Sequence, residues 1–143
     1  MMEIAKVIGN CAERKLICGG IAMLRTLMQI YVKGSVEAVD TYKRAFNAEI
    51  LGLYPDDNGG YMHSEINAYG QILAVSELKG DLVVGNTMQF CFHMGAGNEE
   101  QVLQAYEVLK DGADIQIPAG PCDYSSCMFS LIDKFGVFWC VFA

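Results

Sequence analysis

Apolar and polar positions follow the same pattern twice along this chain. The segment Cys127–Phe142 has a weaker copy at Tyr61–Val75, and the two align with Gly70 beneath Gly136. Each copy predicts two apolar strands joined by a turn in which Gly tolerates a positive φ. The sequence therefore predicts a duplicated unit.

The first unit begins at Leu27, where Leu-Met-Gln-Ile-Tyr-Val predicts a strand. A helix follows, and we expect Ser35 to cap its N-terminus and Asn47 to end it in a left-handed conformation. The apolar face of this helix consists of Val39, Tyr42, Ala45 and Phe46. A strand over 50–54, a polar loop and the hairpin over 61–75 complete a β-α-β-β-β order.

The second unit repeats this order. Its first strand, Thr87–Phe92, keeps the Met-Gln pair of the earlier strand. Asn98 and Gln101 predict a capping box at the start of the second helix, and Gly112 predicts its end. The apolar face of this helix consists of Val102, Ala105, Tyr106 and Leu109. A strand over 113–117, a Pro-Gly-Pro loop and the final hairpin complete the unit.

The one helix in each unit covers one face of its sheet, so the other face must pack against something else. We therefore predict an α+β fold in which two tandem β-α-β-β-β units pair their curved mixed sheets around a trough, with the helices on the outer faces. Residues 27–143 form one domain, with unit 1 at 27–77, a connector at 78–85 and unit 2 at 86–143.

Residues 1–26 lie outside the repeat, and we expect this extension to be helical because its apolar residues recur at helical spacing. One interpretation is a short helix docked on the core or on a neighbouring subunit. The alternative is an upstream extension, with Met23 or Met28 as the true start. A charged n-region followed by a long apolar h-region is missing, which argues against a secretory signal peptide.

Composition narrows the classes of partner. Seventeen acidic and ten basic residues give a net charge of −7, which argues against nucleic acid and anionic membranes as partners. The hydrophobic share of 52% contains no run of the roughly 18 apolar residues that a membrane helix needs, and it favours a homodimer with an apolar interface. The six cysteines form no C-x-x-C motif, so we expect free thiols, a cytoplasmic location and no zinc site.

The two units and the ending Asp133-Lys-Phe-Gly-Val-Phe-Trp139 resemble the vicinal oxygen chelate superfamily, which includes glyoxalase I, bleomycin-resistance proteins and extradiol dioxygenases. The segment His63-Ser-Glu65-Ile, together with that ending, is similar to the PhnB-like branch. The resemblance spans residues 27–142. It implies a glyoxalase-like domain with a small-molecule site between its two units.

Metal-dependent members of this superfamily take ligands from the start of the first strand and from the last strand of each unit. The resemblance places these positions at Leu27, Ala74, Thr87 and Cys140. Leu and Ala offer no donor atom, and Thr with Cys does not complete a shell. We therefore expect no cofactor and no metal at the usual site, with a divalent metal as the disfavoured alternative.

The predicted ligand-binding residues share the face that would line the trough. They are Gln29, Tyr31, Gln89, Cys91, His93, Tyr124 and Cys140. Gln29 and Gln89 are polar at matching positions of apolar strands, so each either contacts a ligand or hydrogen-bonds the other amide across the pseudo-twofold axis. His93 also fits a surface position at a loop entrance. Tyr124 stands where the PhnB-like branch has an aromatic Trp-Gly, and Cys140 lacks a basic neighbour in sequence to activate it.

His63 and Glu65 are two residues apart on a strand, so their side chains share one face. As a catalytic pair, the carboxylate would orient the imidazole for proton abstraction. The alternative is a pair facing solvent on an edge strand.

Three functions follow. The first is a metal-free protein of the glyoxalase/bleomycin-resistance type that binds a small molecule in the trough. The second is a PhnB-like enzyme of unknown substrate that uses His63 and Glu65 for proton transfer. The third is a structural dimer module whose trough is only an interface.

Overall fold

The computed structural model describes residues 25–85 and 87–143. Apart from its last two residues, the extension at 1–26 and its expected helix lie outside this range. Unit 1 consists of β1 (Met28–Val32), α1 (Ser35–Ala45), β2 (Glu49–Pro55), β3 (Tyr61–Ala68) and β4 (Gln71–Glu77). Unit 2 consists of β5 (Phe90–His93), α2 (Glu99–Leu109), β6 (Asp114–Cys122), β7 (Ser125–Ile132) and β8 (Phe138–Phe142).

The two units have the same topology. Four strands of unit 1 form a sheet in the order β1-β4-β3-β2, and those of unit 2 form a sheet in the order β5-β8-β7-β6. The first and last strands of each unit pair in parallel, and the other neighbours pair antiparallel. The predicted α+β fold of two repeated β-α-β-β-β units is confirmed.

The hydrophobic core crosses from one unit to the other. Tyr42 and Phe46 of α1 are fully buried, and their rings lie 5.4 Å and 5.0 Å from the ring of Trp139 in β8. The Phe46 ring also lies 5.0 Å from that of Phe92 in β5. These contacts join α1 of unit 1 to strands of unit 2, so the two units share one core. Aromatic pairs of this kind stabilise a core beyond the area that they bury.

The buried carboxylate of Asp133 organises the turn between β7 and β8. Its Oδ1 accepts the backbone N–H groups of Phe135 and Val137, at 2.9 Å and 3.0 Å. Its Oδ2 accepts the Trp139 indole N–H at 2.9 Å and the Tyr42 hydroxyl at 2.7 Å. These four hydrogen bonds give the Asp-Lys-Phe-Gly-x-x-Trp ending a structural role.

Left-handed backbone occurs at the turn positions that the sequence predicts. Gly70 and Gly136 have φ of 88° and 85°, and Asn47 after α1 has φ of 45°. Gly136 is also crowded, because a Cβ placed there would lie 3.0 Å from the Cγ2 atom of Val84 in the connector. A Cβ at Gly70 would meet no described atom within 4 Å.

The N-terminus of α1 is capped by a residue distant in sequence, so the prediction of a Ser35 cap is wrong. Glu77 accepts the backbone N–H groups of Gly34 and Ser35, at 3.0 Å and 2.7 Å. The Ser35 hydroxyl instead accepts the N–H of Tyr61 at 2.8 Å. The parallel pairing of β1 with β4 sets Glu77 beside Val32, next to the turn into the helix.

The predicted capping box of α2 is also wrong. Asn98 occupies the N-cap position, but its side chain makes no capping hydrogen bond. Its Nδ2 donates instead to the carbonyl of Met94 at 2.8 Å, and this hydrogen bond stabilises the loop before the helix.

Two strand boundaries differ from the predictions. The strand expected to end at Ile117 continues to the end of β6 through Pro118 and Pro121. Proline is tolerated there because β6 is the edge strand of its sheet and its pairing with β7 is irregular. The first strand of unit 2 begins at Phe90 rather than at Thr87.

Candidate functional site

Each sheet has a face opposite its helix, which we call its free face. In β1, Ile30 and Val32 are buried on the helix side, whereas Gln29 and Tyr31 alternate onto the free face. Tyr31 is 58% exposed. Tyr31 therefore offers aromatic surface on the free face of unit 1.

A cavity of about 280 Å³, which we call the seam cavity, lies between the two units. Gln29 and Tyr31 of β1 line it from unit 1. Gln89 before β5 and Phe138 of β8 line it from unit 2. Three predicted ligand-binding residues, one of them aromatic, therefore surround one cavity.

The two glutamines are held by serines of their own units. Gln29 Nε2 donates to Ser76 Oγ at 3.1 Å, and Gln89 Nε2 donates to Ser130 Oγ at 3.2 Å. The alternative in which the two amides bond each other is not observed. Each serine therefore holds the donor end of one amide, and both glutamines line the seam cavity.

The remaining predicted ligand residues of unit 2 lie outside the lining of the seam cavity. The His93 ring stacks on Phe142, with centroids 4.4 Å apart and planes 12° from parallel. Tyr124 meets the same Phe142 ring edge-on at 5.6 Å. Cys91 and Cys140 are direct neighbours in the β5–β8 ladder. His93 and Tyr124 are exposed, as expected for residues at the rim of a sheet.

The pair of His63 and Glu65 forms on the free face of unit 1, with 3.1 Å between His63 Nε2 and Glu65 Oε1. The edge placement in the alternative is wrong, because β3 lies inside its sheet between β4 and β2, and the two side chains are 33% and 17% exposed. The ring of Tyr54 lies 6.0 Å from that of His63. Neither His63 nor Glu65 lines the seam cavity.

Arg25 completes this cluster, and nothing in the sequence pattern indicated it. Its Nη1 and Nη2 atoms donate to the two carboxylate oxygens of Glu65, at 3.1 Å and 2.9 Å. Arg25 lowers the pKa of Glu65, and the hydrogen bond with His63 acts in the same direction against the effect of burial. Arg25 precedes the repeat, so no periodic signal could have linked it to a strand 40 residues away.

The residues at the superfamily's metal positions do not fit a divalent cation. Ala74 is fully buried and has no donor atom, and its repeat partner Cys140 supplies one thiol. Across residues 25–85 and 87–143, no three His, Cys, Asp or Glu side chains are arranged to hold a metal ion. Neither α1 nor α2 has the length and hydropathy of a membrane-crossing helix.

No protein-family model and no curated protein matches this chain. Solved structures do match. A PhnB protein from Bacillus cereus superimposes with a TM-score of 0.70 at 20% identity, covering 82% of this chain and 98% of that one. Protein PA1353 from Pseudomonas aeruginosa gives 0.69 at 18% identity, covering 84% and 97%.

A mutant of the fosfomycin resistance protein FosX from Listeria monocytogenes, crystallised with Mn(II) and 1S,2S-dihydroxypropylphosphonic acid, gives a TM-score of 0.64 at 16% identity. That match covers 87% of this chain and 94% of FosX. Identities this low establish architecture rather than chemistry. The chain therefore has the vicinal oxygen chelate fold, the fold of these PhnB-like and FosX proteins.

Proposed function

We propose that this protein is a glyoxalase/bleomycin-resistance-like binding protein that takes a small molecule into the seam cavity without a divalent metal. The observation that carries the proposal is the pair of serine-bonded amides, Gln29 from unit 1 and Gln89 from unit 2, at one cavity. A concave site with a few convergent polar groups between two structural units is the usual setting for a ligand.

The lining of the seam cavity supports one class of ligand. A volume of about 280 Å³ suits a compact molecule at the small end of the range for ligand pockets. The amide Oε1 atoms accept hydrogen bonds, while Tyr31 and Phe138 offer aromatic surface. The ligand class is therefore a small amphipathic compound with at least one hydrogen-bond donor.

A thermal-shift screen tests this proposal. The panel contains small aromatic alcohols and amines, α-keto aldehydes and hydroxyalkyl phosphonates. A ligand at 100 times its Kd should stabilise the fold by about 2.7 kcal/mol.

Gln29→Leu and Gln89→Leu should each weaken the response to any ligand that stabilises the wild type. Gln104→Leu is the matched control, because Gln104 donates to the Arg44 carbonyl away from the cavity and should leave binding unchanged. Equal binding by the wild type and the double variant of Gln29 and Gln89 would overturn the proposal.

The His63–Glu65 contact favours a second candidate, a PhnB-like enzyme of unknown substrate. His63 would be the base, Glu65 would hold its ring, and Arg25 would keep Glu65 ionised and add positive charge near the substrate. The test is turnover of a small carbonyl or phosphonate compound. His63→Gln should abolish it, and an unchanged rate would remove His63 as the base.

Exposed apolar side chains favour a homodimer, which is the basis of the third candidate, a structural dimer module. Val83 and Met88 are 87% and 81% exposed, and Met62 is 65% exposed. Sedimentation equilibrium of the full chain should give twice the monomer mass. A dimer that binds no compound in the screen would favour the structural module over the binding protein.

We place the protein in the cytoplasm, and its cysteines support this location. The four in the described part of the chain, Cys91, Cys122, Cys127 and Cys140, are free thiols. Such thiols fit a reducing compartment.

A further inference from the structure

Two thiols lie side by side on the free face of unit 2. Cys91 of β5 and Cys140 of β8 are Cα partners in the parallel ladder. Neighbouring strands lie about 4.8 Å apart, which is within the roughly 4.4–6.8 Å Cα separation that a disulfide spans. Both side chains point to the same face because partners in a ladder share their orientation.

The two thiols differ in their access to solvent. Cys91 is exposed, whereas Cys140 is only 8% exposed. Burial, together with the neighbouring thiols of Cys91 and Cys122, raises the pKa of Cys140 to about 11. At neutral pH Cys140 is therefore a protonated thiol beneath an accessible one.

We propose that Cys91 and Cys140 form a redox-active dithiol that a hydroperoxide oxidises to an intrachain disulfide. Although the sequence predicted both cysteines as ligand-binding residues, neither lines the seam cavity, and the His63–Glu65 chemistry does not involve them. The dithiol adds a modification site on the ladder next to the seam cavity.

The reaction balances in two steps. The Cys91 thiolate attacks one oxygen of hydrogen peroxide, the O–O bond breaks, and Cys91 becomes a sulfenic acid as hydroxide leaves. The Cys140 sulfur then attacks the Cys91 sulfur, and the S–O bond breaks as the Cys140 proton leaves with the hydroxyl group as water. The peroxide takes up two electrons, and the protein loses two hydrogen atoms.

A third thiol makes the proposal specific. Cys122, at the end of β6, lies close enough to Cys140 to contribute to its raised pKa. However, β6 is at the far edge of the sheet from β5, with β8 and β7 between them. Cys140 is therefore the partner that the ladder sets directly beside Cys91.

Peptide mapping of the oxidised full chain tests the assignment. The wild-type protein is treated with stoichiometric hydrogen peroxide, its remaining thiols are alkylated, and its peptides are mapped by mass spectrometry without reduction. The expected product has no disulfide between chains, lacks two hydrogen atoms, links the peptides that contain Cys91 and Cys140, and reverts with dithiothreitol.

Two variants sharpen the experiment. Cys91→Ser should prevent the loss of two hydrogen atoms. Cys127→Ser is the matched control, because Cys127 lies on the core side of β7, and its oxidation should match that of the wild type. A link from Cys91 to any other cysteine, or conversion of Cys91 to sulfinic acid without a link, would overturn the proposal. The wild-type map gives this answer even if a variant fails to fold.

Discussion

The hydroxyl of Tyr42 donates a 2.7 Å hydrogen bond to the Oδ2 atom of Asp133, a residue 91 positions later in the chain. This bond joins the helix of unit 1 to the last turn of unit 2. Both groups are buried, so neither can replace this bond with a hydrogen bond to water in the folded protein.

Tyr42→Phe should lower the free energy of unfolding by about 1–3 kcal/mol, because it leaves a buried carboxylate with one donor fewer. Urea denaturation followed by circular dichroism measures this change. Tyr106→Phe is the matched control, since Tyr106 is the repeat counterpart of Tyr42 in α2 and is only half buried. Equal losses in the two variants would contradict the role given to the bond with Asp133.

Glu77→Gln should destabilise the protein by about 1 kcal/mol at neutral pH, because the carboxylate caps α1. Burial favours the neutral acid, but hydrogen bonds from Ser35 and Gly34 outweigh it and hold the pKa of Glu77 below its ordinary value of 4.5. A depressed folded pKa stabilises the protein above the unfolded pKa, and this stabilisation is lost as the pH falls through the folded value.

The difference in stability between the wild type and Glu77→Gln should therefore be largest above pH 4.5 and should shrink below it. Thermal melts from pH 3 to 7 follow this difference. Asp57→Asn, a change of an exposed loop carboxylate, serves as the control. A difference of constant size down to pH 3 would show that the charge of Glu77 does not matter.

Gly136→Ala should cost more stability than Gly70→Ala, although the two glycines are repeat partners with nearly equal φ. Both substitutions place Ala in left-handed backbone, at a cost of roughly 1–2 kcal/mol. At Gly136 the new Cβ would also press on Val84, whereas at Gly70 it would meet open space. Chemical denaturation of both variants gives the comparison, and equal costs would mean that the connector yields without strain.

Arg25→Gln should raise the pKa of Glu65, because it removes the cation that holds this carboxylate ionised. Titration of the Glu65 side-chain carboxyl carbon by NMR measures the shift directly. Lys79→Gln is the control, since it removes one positive charge from the connector. An unchanged Glu65 pKa would mean that Arg25 and Glu65 do not interact in solution.

Periodicity predicted the helices, the strands and the duplication, because residues close together in the sequence determine these patterns. Strands show alternation, α1 shows a stripe that includes Tyr42, and the turns show Gly70 and Gly136. The same logic found Gln29 and Gln89, since a polar residue repeated in two apolar strands is visible without a structure.

Contacts between distant segments were not predictable in this way. Glu77 caps a helix that begins 42 residues earlier, and only the parallel pairing of β1 with β4 brings them together. Asp133 left a weak trace in the sequence, because its repeat partner Asn67 accepts the N–H of Gly70 in the equivalent turn. An Asx residue before a turn glycine in both copies could have identified this role.

Strands β2 and β6, each at one edge of its sheet, are poor templates for further pairing. The β6 strand contains Pro118 and Pro121, which have no N–H to donate, and the register of β2 shifts near Gly52 and again at Pro55. Extension of either sheet by an added strand is therefore disfavoured at these two edges. A second copy of this chain that added a strand at either of these two edges would pair poorly, which protects β2 and β6 from fibre growth.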